Sequence, residues 1–85
     1  MTPKEQIQAM PCMICNHPPP NTAHHVPSRG AGGRDRIEDM VPLCGMHHLE
    51  FHSTKGGVMT FARRYPEFMS WLKKYHPEII LKNLL

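Results

Sequence analysis

The chain has 85 residues, with ten Lys and Arg against seven Asp and Glu, a formal net charge of +3 with its seven histidines neutral, and three cysteines. A chain of this length is one domain whose unfolded surface is only about 60% buried on folding, a marginal core that a structural metal would staple. No apolar run is long enough for a secretory leader or a membrane span, and an odd cysteine count with a C-x2-C pair reads as metal binding in a reducing cytoplasm, not as a disulfide framework.

In chain order, residues 3–10 predict a short helix, with Thr2 as N-cap, Pro3 in the first turn, and Ile7 and Met10 on one face. Pro11 ends it. From Cys12 to Asn21 the run Cys-Met-Ile-Cys-Asn-His-Pro-Pro-Pro-Asn excludes regular structure, because successive prolines remove amide donors and fix the backbone. Thr22 to Val26 predicts a strand, and Arg29 to Arg36 is a glycine-rich basic loop before a second strand over Met40–Leu43. Cys44 to Ser53 reads as a helix that stops near Gly56 and Gly57. Three helical pieces follow, Met59–Tyr65, Pro66–Tyr75 and Pro77–Leu84. In this tail Phe61, Phe68, Trp71, Leu72, Tyr75, Ile79, Ile80 and Leu84 are expected core residues.

Two constellations carry the chemistry. Cys12 and Cys15 share a two-residue gap that turns both thiolates toward one ion, and Cys44 and His47 repeat that gap. Three cysteines and one histidine in two knuckles suit tetrahedral zinc, with His17 as an alternative fourth ligand to His47. Such a site would clamp the segment before the strands to the segment after them and contribute folding energy directly. Buried free cysteines are the plainer alternative, and two separate knuckles argue against it.

The second constellation is all histidine. Adjacent His24 and His25 on a strand point to opposite faces, so the economical assignment is one ligand and one base. His48 and His52, four apart on a helix, stack about 5–6 Å apart at Cβ, a separation that suits two ligands of one ion. His24 would supply a third ligand, and three protein ligands leave coordination positions open, the mark of a catalytic metal site.

The order His24-His25, then Arg29-Gly-x-Gly-Gly, then Pro42-Leu-Cys-x-x-His-His-x-x-x-His52 resembles the HNH endonucleases, the ββα-metal nucleases, especially their small phage and prophage forms. The resemblance covers Cys12 to about His52. It implies an α+β fold: a small ββα-metal motif with a zinc knuckle over residues 12–55, after an N-terminal helix over 1–11 and before a short helical tail over 56–85. It further implies that His24, His48 and His52 hold a catalytic divalent metal and that His25 is the general base. Asp39 would stand where the family has the Asn that braces the loop, and an Asp there keeps an acceptor but loses the amide donor.

The activity implied is metal-dependent hydrolysis of DNA phosphodiester bonds, by nicking or cleavage with weak sequence preference, leaving a 3′-hydroxyl and a 5′-phosphate. Structural Zn²⁺ at Cys12, Cys15, Cys44 and His47 and one catalytic Zn²⁺, Mn²⁺, Ni²⁺ or Mg²⁺ are the expected cofactors. DNA is the expected partner, bound through Arg29, Arg34, Arg36 and Lys55 by a monomer that another protein could recruit. A sequence pI near 9.0 agrees with a polyanionic partner. Two other readings compete. One is a non-catalytic, zinc-stabilised nucleic-acid-binding module, which has no use for the surplus His25, and the other a protein-interaction domain built on the aromatic tail.

Overall fold

The computed structural model describes residues 1–26 and 32–84, so Arg29 and its neighbours in the loop lie outside the described residues. Helix α1 spans Pro3–Gln8, strand β1 Thr22–His25, strand β2 Met40–Leu43, helix α2 Gly45–Ser53, α3 Gly57–Arg64, α4 Pro66–Tyr75 and α5 Pro77–Lys82. A 3-10 turn, Ile37–Asp39, leads directly into β2. The protein is therefore α+β, with one two-stranded antiparallel sheet among the described residues. Its contacts fall into two compact units, Met1–His48 and Leu49–Leu85, and the division lies inside α2. No helix among the described residues is long and apolar enough to cross a membrane.

In the first unit α1 begins with a reciprocal cap, the Glu5 N–H donating to Thr2 Oγ1 (3.1 Å) and the Thr2 N–H to Glu5 Oε1 (3.0 Å). The helix closes at Gln8, two residues short of the expected end. A turn in which the Met10 N–H reaches the Ile7 carbonyl at 3.0 Å replaces the last helical bonds. Met10 is consequently exposed, and Ile7 alone of the expected pair is buried. Asn21 then ties this turn to the chain that follows: its side-chain amide donates to Met10 O (2.9 Å) and His17 O (3.0 Å), and its own N–H to Gln8 O (2.9 Å).

The two strands pair Thr22 with Leu43, Ala23 with Pro42, His24 with Val41 and His25 with Met40. Pro42 has no N–H to donate, which a two-stranded sheet tolerates because each strand has an open edge. Its carbonyl is used nonetheless, accepting the Met13 N–H at 2.9 Å and so docking the cysteine turn on β2. Ile7, Ala23 and Met40 form a buried cluster in this unit, with Ile37 packed against them, and Val26, Val41 and Leu43 are buried as well. This register buries His24 and leaves His25, on the other face, half-buried.

The second unit is held by rings. Phe51, outside the expected core set, packs against Phe61 and Phe68 with centroids 4.9 and 5.8 Å apart, and Phe61 meets Phe68 at 5.2 Å. Phe68 stacks on Trp71, and Trp71 continues to Tyr75 and His76. Helix α3 starts two residues earlier than expected because Gly56 and Gly57 both take positive φ, 91° and 72°, a turn conformation suited to glycine. Helix α5 ends two residues early at Lys82. There the Asn83 side chain donates to the Ile79 carbonyl at 2.7 Å, competing with helix continuation. Leu84 is exposed and Ile79 and Ile80 are only half-buried, so the core of the tail is narrower than its apolar pattern implies.

Candidate metal centres and the histidine beside them

Residues 12–17 form a tight turn that faces both of its cysteines one way. The Asn16 N–H donates to Cys12 O at 2.9 Å, the Cys12 N–H to His17 O at 2.9 Å, and Asn16 takes φ 63°, a left-handed conformation that asparagine tolerates. Cys44 sits between β2 and α2, and His47 lies in the first turn of α2. One ligand atom from each of Cys12, Cys15, Cys44 and His47 lies within 4.8 Å of the others. His17 is not in this group, so the fourth member is His47.

The donor atoms fit zinc. Cys15 Sγ and Cys44 Sγ are 3.7 Å apart, Cys12 Sγ and His47 Nδ1 3.8 Å, and Cys44 Sγ and His47 Nδ1 3.3 Å. A tetrahedron with metal–sulfur bonds of about 2.3 Å has edges of about 3.8 Å, slightly less where nitrogen replaces sulfur. The cluster can therefore hold a metal ion such as zinc.

Its electrostatics point the same way. Burial by itself pushes the Cys12 thiol up, but hydrogen bonds from the amides of Cys15, Cys44 and Ile14 outweigh it and bring the thiol down to about 6. For exposed Cys15 the backbone at His17 favours the thiolate. Desolvation and the neighbouring Cys12 and Cys44 sulfurs overcome that and raise it above the ordinary thiol value. Without metal, one thiolate is thus pre-formed and the next is resisted, the behaviour of sulfurs crowded around a place for a cation.

The second group is built on β1 and α2. His24 and His48 rings meet edge to face with centroids 5.1 Å apart, and His52 follows one turn after His48 on the same helix. Ligand atoms of His24, His48 and His52 lie within 4.8 Å of one another. Consecutive helical residues differ by about 100° in direction, which lets adjacent His47 and His48 serve different clusters. Three imidazole nitrogens suit Zn²⁺, Ni²⁺ or Cu²⁺ better than Mg²⁺, which prefers oxygen.

His25 lies on the opposite strand face from His24, and its Nε2 is 2.6 Å from Asp35 Oδ1. A carboxylate accepting from Nε2–H leaves Nδ1 as the imidazole atom able to take a proton. Asp35 was not among the residues singled out from the sequence. The available signal was an acid embedded in the Arg34-Asp35-Arg36 run of an otherwise basic loop.

Asp39 is almost fully buried, at 1% exposure. Its Oδ2 accepts the Arg34 N–H and the Arg36 Nε–H, each at 3.0 Å. Its carbonyl accepts the Val26 N–H at 2.7 Å. The loop presents donors to this position, so the acceptor that an Asp keeps is the part the brace uses.

The basic residues assigned to DNA fare differently. Arg36 is engaged by Asp39 at 3.0 Å and by Glu38 at 3.7 Å. Arg34 and Lys55 are exposed, and Arg29 lies outside the described residues. Compared with protein-family models, with curated proteins and with solved structures, the chain gives no match in any of the three.

Proposed function

We propose that the protein is a metal-dependent endonuclease of the HNH, ββα-metal type that hydrolyses DNA phosphodiester bonds to a 3′-hydroxyl and a 5′-phosphate. The observation that carries this reading is His25: a histidine oriented by a carboxylate, one residue from His24 of a three-histidine cluster and on the other face of the same strand. A purely structural metal site has no role for it.

Asp35 holds the His25 ring through Nε2 and favours the tautomer with a bare Nδ1. Nδ1 accepts a proton from water as the water oxygen bonds to phosphorus. The bond from phosphorus to the 3′ oxygen breaks, and that oxygen leaves to be protonated. A divalent metal on His24, His48 and His52 would supply Lewis-acid neutralisation of the charge gathering on the phosphate oxygens. Asp39 braces the loop that carries Asp35, through Arg34 and Arg36 on either side of it. Cys12, Cys15, Cys44 and His47 are the structural zinc site, which fixes the start of α2 against β2 and so places His48.

Incubation of supercoiled plasmid with the protein across Zn²⁺, Mn²⁺, Ni²⁺ and Mg²⁺ tests this. Nicked or linear product bearing 5′-phosphate ends is expected with at least one of the first three metals. Intact plasmid with all four refutes the reading.

A further inference from the structure

The charge of this chain is unevenly placed. Residues 1–48 hold four Lys and Arg against four Asp and Glu, whereas residues 49–85 hold six against three, so the whole net charge of +3 belongs to the second unit. In the first unit the loop cation Arg36 is taken up by Asp39 and Glu38. In the second, Arg63 lies in the last turn of α3 and Lys73 and Lys74 in the last turn of α4, and all three are exposed. The same two helices bury Phe61, Phe68 and Leu72. Lys74 is further held over the Tyr75 ring, 5.1 Å from its centroid.

We propose that Arg63, Lys73 and Lys74 form the phosphate-contacting surface that gives the chain its affinity for duplex DNA, in place of the glycine-rich loop. The choice of DNA as the polyanion rests on the nuclease reading. The placement of the surface rests on charge and exposure alone. The proposed contact is to the phosphate backbone, which positions a protein on duplex DNA without reading its sequence. Cations in a last helical turn also complement the helix dipole. That role would appear in folding stability and not in the salt dependence of DNA affinity, which separates the two.

The test is fluorescence anisotropy of a labelled duplex oligonucleotide titrated with the full chain, over a salt series and without added catalytic metal. The Arg63→Gln/Lys73→Gln/Lys74→Gln variant should lose on the order of tenfold or more in affinity, and its log–log salt slope should fall by about three units, close to one per phosphate released. An Arg29→Gln/Arg34→Gln variant should stay within about twofold of the parent, as should the charge-preserving Arg63→Lys/Lys73→Arg/Lys74→Arg variant. Unchanged circular dichroism across the set keeps misfolding from imitating the result, and the charge-preserving variant isolates charge from packing. Loss of affinity in the loop variant with retention in the tail variant overturns the proposal. So does binding of phosphatidylserine vesicles with none of DNA. DNA binding that depends on the tail but yields no cleavage with any metal would sink the nuclease reading and leave this surface standing; cleavage with tail-independent binding would do the reverse.

Discussion

At the scale of single residues, the proposed activity turns on the pair His25 and Asp35. Replacing Asp35 with Ala should lower kcat by ~10–100-fold, the usual cost of removing a group that orients a functional imidazole, with KM little changed. Asp35→Asn, whose amide oxygen still accepts from Nε2–H, should recover much of that loss in the same steady-state assay. Equal kcat in Asp35→Ala and the parent would show that the ring needs no orienting partner. Cys12 supplies a second test. Its folded-state thiol lies at about 6 against an ordinary 9.0, so in the reduced, metal-free protein a thiolate absorbance step should appear near that pH and vanish in Cys12→Ser. The sign follows from the depression: charging Cys12 favours the folded state, a contribution complete above pH 9 and lost as pH falls through 6. Cys15, raised instead, should titrate well above that step.

At the scale of elements, the brace on the loop and the ring cluster of the tail carry the weight. Asp39→Ala would leave the Arg34 N–H and the Arg36 guanidinium without their buried acceptor and should destabilise the protein by about 1–3 kcal/mol in denaturant unfolding. A change within a few tenths of a kcal/mol would mean that water replaces the carboxylate. Phe61, fully buried and touching Phe51, Tyr65 and Phe68, should cost about 3–5 kcal/mol when cut to Ala. Glu50 adds a polar tie inside this unit: it accepts the Tyr65 hydroxyl at 2.6 Å and pairs with Arg64, and its carboxylate holds both groups' pKa values up.

Elements of this chain were legible where local chemistry decides. Thr2, Pro3 and Glu5 spell a cap, and repeated two-residue gaps between ligands spell a metal knuckle, because cap and knuckle geometry span only a few residues. What sequence could not supply were relations closed across a loop. Asp35 meets His25 ten residues away, and Asp39 finds Arg34 and Arg36, only through the path that the loop takes. The tail misled in another way. Ile79, Ile80 and Leu84 look like a core face, but Asn83 ends α5 early and leaves Leu84 exposed.

At the scale of the whole molecule, the proposed function divides the work of stapling and of chemistry between the two clusters. The first unit contains none of the chain's Phe, Tyr or Trp residues, so occupancy of Cys12, Cys15, Cys44 and His47 should account for much of its stability. The purified protein is expected to hold one tightly bound zinc, and chelation should lower its melting temperature sharply, with readdition of zinc restoring it. A folded protein with no metal and an unshifted melting temperature after chelation would show that the cysteines are core residues only. The three-histidine cluster should behave differently, gaining and losing its ion with little effect on melting while activity follows occupancy.

The most direct test of the central claim compares plasmid cleavage by the parent and His25→Ala at matched zinc content and matched circular dichroism. If His25 is the proton acceptor, the variant should lose ~10²–10⁴-fold in rate with its metals retained. Equal rates in the two proteins would contradict the assignment of His25, and with it the reason for reading the second cluster as catalytic.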